Sequence, residues 1–143
     1  MPDDKPRVLF LCTGNSARSQ MAEALLRRHA GDRFVACSAG LHPVKINPLT
    51  LRVLNEIGID TSTLHSKGAQ EFLVKLTVHY AVVVCEKAQE ACPRFHPFAM
   101  NNLYWPFEDP AAFQGSEEDT LEKFRDVRDQ IDERIRLWIH DEV

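Results

Sequence analysis

The chain lacks any long hydrophobic run. None of its 143 residues belongs to an apolar stretch near the roughly 20 residues that cross a bilayer, and no basic segment followed by an apolar one stands at the N-terminus. A broad basic stripe of the kind that binds nucleic acid is also missing, and the net charge is −4. These absences predict a cytoplasmic protein that binds neither membrane nor nucleic acid.

Cysteine and histidine are scarce. The four cysteines and six histidines show no two close pairs of the spacing that structural zinc requires, so we expect no metal and no other cofactor. Four cysteines in a reducing compartment are more consistent with chemistry than with a disulfide framework. Cys37 falls inside an apolar segment and is expected in the core.

Composition and charge are otherwise those of a globular protein. Hydrophobic residues make up 44% and charged residues 27%. The length of 143 residues predicts one domain over residues 1–143, and we expect a monomer. Residues 108–143 carry twelve acidic and five basic side chains, whereas the first thirty residues carry five basic and three acidic ones. The N-terminal end is therefore the better place to attract a small anion.

Strand and helix patterns alternate along the chain. Strands are predicted at Arg7–Leu11, Phe34–Cys37, Tyr80–Val84 and Asn101–Trp105. Helices are predicted at Ser19–His29, Pro48–Ile57 and Glu117–Ile139, with a further one near Gln70–Leu76. This alternation is typical of an α/β domain with a parallel sheet and helices on both faces. Ligands of such sheets bind beyond the carboxyl ends of the strands.

The segment from Cys12 to Ser19 joins the first strand to the first helix. Such a turn aims backbone N–H groups and the positive end of the helix dipole at one point, which suits a tetrahedral oxyanion. The same field favours a nucleophilic thiolate at Cys12, and Arg18 offers a planar fork to two anion oxygens. The residues expected to hold the anion are Thr13, Gly14, Asn15, Ser16, Ala17 and Arg18.

This Cys-x5-Arg-Ser motif resembles the low-molecular-weight protein tyrosine phosphatase superfamily, which includes arsenate reductases of the same fold. The resemblance extends to Ser38-Ala39-Gly40, to Val82–Cys85 and to Trp105–Pro110, so it covers nearly the whole chain. It implies a four-stranded parallel sheet in the order 2-1-3-4.

The resemblance also implies roles for single residues. Asp109, which precedes Pro110, matches the general acid that protonates the leaving oxygen. Ser19 and Asn15 match positions that hold the thiolate and the loop shape, and Ser38 matches a serine that supports Asn15. Two alternatives stay open from the sequence: a plain turn role for Ser38, and a solvated carboxylate without chemistry at Asp109.

Cys85 and Cys92 distinguish a reductase from a phosphatase. Their spacing and the proline that follows resemble the Cys-x6-Cys-Pro redox pair of thioredoxin-coupled arsenate reductases. If residues 85–92 were helical, the two Cα atoms would stand roughly 10 Å apart, beyond the ~4.4–6.8 Å of a disulfide, so joining them would require local unwinding. The alternative is two unrelated thiols.

Two further positions bear on the substrate and on cations. Ala111-Ala112 follows the expected acid where the phosphatases usually carry an aromatic residue, which favours a small inorganic oxyanion. Lys67 stands where potassium-binding reductases of the family carry an acidic residue. A potassium site built from Asn15, Glu23 and Ser38 is therefore not expected.

The sequence thus predicts an arsenate reductase that draws electrons from thioredoxin or a glutaredoxin-like carrier. Cys12 would attack an arsenate or similar phosphate-type oxyanion, Cys85 would attack the resulting adduct, and Cys92 would resolve the disulfide. The first alternative is a protein tyrosine phosphatase that uses only Cys12, Arg18 and Asp109. The second is an oxyanion or redox sensor without catalysis.

Overall fold

The computed structural model describes residues 5–72, 77–86 and 99–142. Within them lie four strands: β1 (Arg7–Cys12), β2 (Val35–Gly40), β3 (Tyr80–Val83) and β4 (Asn101–Tyr104). The α-helices of the same residues are α1 (Arg18–Ala30), α2 (Pro48–Asn55) and α3 (Glu117–Glu142), and single 3-10 turns cover Ala69–Phe72 and Pro110–Ala112.

The strands form one parallel sheet in the order β2-β1-β3-β4, which confirms the predicted α/β fold and strand order. β1 is central and apolar, and Val8, Leu9 and Phe10 are fully buried. The chain crosses from β1 to β2 on one side and later reaches β3 on the other side of β1. The carboxyl end of β1, where Cys12 lies, is therefore the point at which the sheet order reverses and where such sheets bind ligands.

β2 is longer and lies later than predicted. The sequence indicated a strand at Phe34–Cys37, but pairing with β1 continues through Phe10–Ser38 to Cys12–Gly40. The polar and small residues at its end do not have the sequence pattern of a strand. Their extended conformation is set by pairing with β1 rather than by their own propensity. Ser38 therefore lies inside a strand and does not follow it.

Side chains cap the starts of α2 and α3. Asn47 accepts the N–H of Leu49 at 2.9 Å before α2, and Ser116 Oγ accepts the N–H of Asp119 at 3.0 Å before α3. α2 ends at Asn55, two residues earlier than expected. No further α-helix is described near 70–76: the chain makes the short 3-10 turn, and residues 73–76 lie outside the described range.

The stripe of α3 packs against the core. Leu121, Phe124, Val127, Ile131 and Ile135 are buried. Trp138 continues the stripe, and its ring lies 5.1–5.8 Å from the rings of three other aromatic residues, namely Phe34, Tyr80 and Trp105. Trp138 is partly buried and packs against the core. Among the described helices, none is long and apolar enough to cross a membrane.

Candidate active site

The loop of residues 12–19, called the oxyanion loop below, is tied to the chain that follows β2. The carbonyls of the loop accept hydrogen bonds of 2.9–3.2 Å from backbone N–H groups of that segment; the pairs are Cys12 with Leu41, Thr13 with His42, Gly14 with Val44, and Ser16 with Asn47. In a planar trans peptide the next residue's N–H points opposite to the carbonyl. These hydrogen bonds therefore turn the N–H groups of the loop toward its interior, as the bond from Asn15 N–H to Cys12 Sγ at 3.2 Å illustrates.

Gly40 makes this close approach possible. A Cβ on Gly40 would lie 2.7 Å from the carbonyl oxygen of Thr13 and 2.8 Å from the nitrogen of Asn15. Any side chain at the end of β2 would consequently push the oxyanion loop away from the sheet.

Cys12 lies at the base of the oxyanion loop and is almost completely buried. Its Sγ is 2.7 Å from Ser19 Oγ, and Ser19 Oγ in turn accepts a hydrogen bond of 2.8 Å from Asn15 Nδ2. Because Ser19 already accepts from Asn15, its own hydrogen is available for Cys12. Sγ is thus approached by two donors, the hydroxyl of Ser19 and the N–H of Asn15.

Asn15 holds this network in a left-handed backbone conformation, with φ of 52°. Asparagine adopts that conformation more readily than most residues with a side chain. Its Oδ1 accepts from Gln20 Nε2 at 2.9 Å and from the N–H of Lys67 at 2.7 Å. Its Nδ2 consequently faces Ser19 and also donates to Ser38 Oγ at 2.9 Å.

A buried carboxylate completes the support behind the loop. Ser38 donates to Glu23 Oε1 at 2.7 Å, which is consistent with Ser38 accepting from Asn15. The same carboxyl group lies 3.3 Å from the ammonium of Lys67 and 2.8 Å from the guanidinium of Arg27. The positive charge beside Glu23 therefore comes from the chain itself, at the place where the sequence disfavoured a potassium site.

Arg18 and Asp109 meet above Cys12. The guanidinium of Arg18 is buried, donates to the carbonyl of Phe107 at 3.2 Å, and lies 3.7 Å from Asp109 Oδ2. With Cys12 they border a cavity of about 400 Å³. The cavity is also lined by Thr13, Gly14, Ser16, Ala17, His42 and Val44. Nucleophile, guanidinium and carboxyl group thus face one space large enough for a tetrahedral anion.

The segment from Pro106 to Phe113, called the acid loop below, is held more loosely. Asp109 Oδ1 accepts the N–H of Ala111 at 3.0 Å, and the side chain of Asp109 is 35% exposed. Lys123 of α3 contacts both ends of the segment: its ammonium lies 2.9 Å from Glu108 Oε1 and 5.5 Å from the ring centre of Phe113. Lys123 also offsets the charge of Glu108 next to Asp109.

The redox pair is described only in part. Cys85 lies two residues beyond β3, is fully buried and is disulfide-bonded, whereas Cys12 and Cys37 are free thiols. Burial raises the pKa of the Cys37 thiol, and neighbouring Arg7 partly offsets this. Cys92 lies outside the described residues. Over 5–72, 77–86 and 99–142, no group of three or more histidine, cysteine or acidic side chains is arranged to hold a metal ion.

Several contacts of the site were not predicted from the sequence. Gln20, Glu23 and Arg27 recur at helical spacing within α1, and this stripe of polar residues faces the loop network. That periodicity is a signal that sequence reasoning could have used. Lys67 and Lys123 carry no local signal, because their partners are 44 and 15 residues distant in the chain.

Comparison with known proteins places this geometry in a family. A family model described as low molecular weight phosphotyrosine protein phosphatase matches residues 7–143. The chain belongs to this family. It is 40% identical to an arsenate reductase of Halalkalibacterium halodurans over 136 residues, which are 94% of this chain and 96% of that protein.

Solved structures agree with this family assignment. An arsenate reductase in its phosphate-binding state superposes with a TM-score of 0.78 at 28% identity, covering 95% of this chain and 98% of that one. A thioredoxin-dependent arsenate reductase of Corynebacterium glutamicum superposes with a TM-score of 0.60, also at 28% identity, over 96% of this chain and 65% of that one.

Proposed function

We propose that this protein is an arsenate reductase that uses Cys12 as nucleophile and Cys85 and Cys92 as a disulfide relay. The observation that carries the proposal is the convergence of Cys12, Arg18 and Asp109 on one cavity at the carboxyl end of β1. The arsenate reductases among its relatives support the choice of substrate.

The first step is attack by the Cys12 thiolate on the arsenic atom of arsenate. An As–O bond breaks, Asp109 donates a proton to the departing oxygen, and water leaves. Arg18 and the N–H groups of the oxyanion loop hold the remaining oxygens while negative charge redistributes among them. Arsenic stays pentavalent in the Cys12 adduct.

The second step reduces arsenic. The thiolate of Cys85 attacks Cys12 Sγ, a disulfide forms, and the electron pair of the S–As bond passes to arsenic, which leaves as trivalent arsenite. Cys92 then attacks Cys85 Sγ and releases Cys12 as a thiolate. The two electrons come from Cys85 and Cys92, whose disulfide is opened by an external dithiol.

The strand register supports the exchange between Cys12 and Cys85. Leu11 pairs with Val83 in the neighbouring strand, so Cys85 lies just beyond the end of β3, at the same edge of the sheet as Cys12. In this structure Cys85 is disulfide-bonded and Cys12 is a free thiol. In the proposed reaction, this is the state of the two cysteines after Cys12 has been released.

Thioredoxin is the proposed reductant. A thioredoxin-dependent arsenate reductase is among the structural relatives, and thiol exchange of this kind needs a dithiol carrier. Such carriers work in a reducing compartment, so we also propose a cytoplasmic enzyme. The single domain over 1–143 and the monomeric state remain parts of the same proposal.

A phosphatase is the second candidate function, because the machinery of Cys12, Arg18 and Asp109 would also hydrolyse a phosphate monoester. The two residues that follow Pro110 argue against an aromatic substrate. Ala111 and Ala112 are small and exposed, where an aromatic side chain would be needed to cover a phenyl ring.

The relay distinguishes the two candidates. We expect both Cys85→Ser and Cys92→Ser to lose multiple-turnover arsenate reduction, measured as arsenate-dependent NADPH oxidation with thioredoxin and thioredoxin reductase. Neither change should lower any hydrolysis of a small aryl phosphate. Cys37→Ser is the matched control, since Cys37 has no step in the relay and should keep full turnover.

Single-turnover products sharpen the test. Cys92→Ser should release one arsenite and trap a Cys12–Cys85 disulfide, visible by mass spectrometry after proteolysis, whereas Cys85→Ser should stop before arsenite leaves. Wild-type arsenate turnover in either variant would contradict the reductase mechanism, and undiminished aryl phosphate hydrolysis as the only activity would favour the phosphatase.

A further inference from the structure

Gln20 is a fully buried polar residue in the first turn of α1. Its Nε2 donates to three acceptors: the backbone oxygen of Asn15 at 3.1 Å, Oδ1 of Asn15 at 2.9 Å, and the backbone oxygen of His65 at 2.8 Å. Its own Oε1 is buried and has no hydrogen-bond partner within residues 5–72, 77–86 and 99–142.

The unpaired oxygen makes Gln20 a poor choice for stability alone. A buried acceptor without a partner destabilises the folded state, which offsets part of the stability that the hydrogen bonds of Nε2 contribute. The nitrogen end of the amide, by contrast, binds both oxygens of Asn15 at once. Gln20 therefore restrains the backbone and the side chain of the one residue in the oxyanion loop that has a left-handed conformation.

We infer that Gln20 is a positioning residue for the nucleophile and that it acts through Asn15. With Oδ1 of Asn15 held by Gln20, Nδ2 of Asn15 must face Ser19, and Ser19 is left to donate its hydrogen to Cys12 Sγ. Its role in arsenate reduction rests on the proposed function. Its effect on the reactivity of Cys12 does not, because alkylation reports on that thiolate whatever the substrate is.

Gln20 shares this task with one other donor. The N–H of Lys67 also binds Oδ1 of Asn15, at 2.7 Å, so the side chain of Asn15 keeps one restraint when Gln20 is replaced. The backbone oxygen of Asn15, however, would lose the donor that Gln20 provides. A partial effect of about tenfold is expected, the equivalent of one net hydrogen bond, rather than complete loss.

The test compares Gln20→Met with Met21→Leu. The first change keeps the side-chain volume and removes the amide, whereas the second alters the apolar side chain of an adjacent, fully buried core residue. Three quantities are measured on the full chain: kcat/KM for arsenate, the rate of Cys12 alkylation by iodoacetamide at pH 7 read by mass spectrometry, and the urea midpoint of unfolding.

We expect Gln20→Met to lower kcat/KM and the Cys12 alkylation rate about tenfold at urea concentrations well below its unfolding midpoint, where the variant is folded. Met21→Leu should leave the alkylation rate unchanged. Alkylation of Gln20→Met at the wild-type rate would overturn the inference, as would an equal loss of alkylation in Met21→Leu, which is the signature of a structural role only.

A second variant covers the case in which Gln20→Met does not fold. Gln20→Glu keeps the shape, replaces the donor by an acceptor facing Asn15, and should slow Cys12 alkylation at least as much; an unchanged rate there also overturns the inference. If the wild type reduces no arsenate but the alkylation difference is found, the proposed function fails and the role of Gln20 is supported.

Discussion

The oxyanion loop and the acid loop serve one cavity but are built in opposite ways. Cys12, Asn15 and Ser19 are between 0 and 2% exposed, and each is held by hydrogen bonds within a buried network. In the acid loop the side chains of Glu108 and Asp109 are 55% and 35% exposed.

The difference follows from what each loop does in the proposed reaction. An anion receptor is most effective when its dipoles are fixed in advance and water is excluded, because nothing then has to reorganise as charge develops. A proton donor must recover its proton from solvent in every cycle, so partial exposure suits Asp109. Loss of the nucleophile from the buried loop should therefore abolish activity, whereas loss of the exposed acid should only slow the first covalent step.

The largest effect is expected from Cys12→Ser. The hydroxyl fills nearly the same space but is not ionised near pH 7, so both arsenate reduction and aryl phosphate hydrolysis should disappear while circular dichroism and the unfolding midpoint change little. Substantial turnover of either substrate by this variant would remove Cys12 from its role.

Arg18→Lys tests the planar fork of the same loop. A lysine keeps the charge but cannot bind two oxygens in one plane, nor make both the Phe107 and Asp109 contacts. We expect kcat/KM for arsenate to fall roughly 10²–10³-fold, the usual cost of a lost anion-holding donor. A variant within tenfold of the wild type would show that charge alone suffices.

Asp109→Asn should slow the first covalent step by about 10²–10⁴, the usual contribution of a positioned acid. Rapid-quench measurement of the Cys12 adduct separates this step from the later exchanges. The matched change is Glu108→Gln, which removes the neighbouring carboxylate and should have a much smaller effect; if Glu108→Gln has the larger one, the proton donor has been assigned to the wrong residue.

Lys123→Met tests whether the acid loop depends on α3. Loss of the contacts with Glu108 and Phe113 should lower kcat less than about fivefold, because the ion pair is largely exposed. The decrease should vanish in the Asp109→Asn background. Arg136→Met, which removes another exposed ion pair of α3, is the control and should leave kcat unchanged.

The smallest effect concerns Cys37, the second free thiol. Its pKa is raised by burial, so the thiol is protonated at neutral pH and becomes a thiolate only above its ordinary value of 9.0. In the Cys12→Ser variant, alkylation of Cys37 should be slow at pH 7 and increase about tenfold per pH unit up to and beyond pH 9. Rapid alkylation at pH 7 would contradict the raised pKa of the Cys37 thiol.

Sequence patterns predicted the central strand, the long helix and the nucleophilic loop because each is a local signal. Hydrophobic patterns indicated β1 and α3, and the caps that begin α2 and α3 bond to backbone N–H groups only two or three residues away. The end of β2 was placed wrongly because Ser38 and Gly40 are extended only through their pairing with β1.

The sequence by itself determined the nucleophile, the anion fork and the order of elements, since the Cys12–Ser19 motif and the alternation of strands and helices are encoded by residues close in the chain. Only the tertiary structure decided which groups support them. Lys67 reaches Glu23 and Asn15, and Lys123 holds Glu108, through contacts between residues that are far apart in the chain. Such pairings depend on the three-dimensional path of the backbone, which no local pattern of residues specifies.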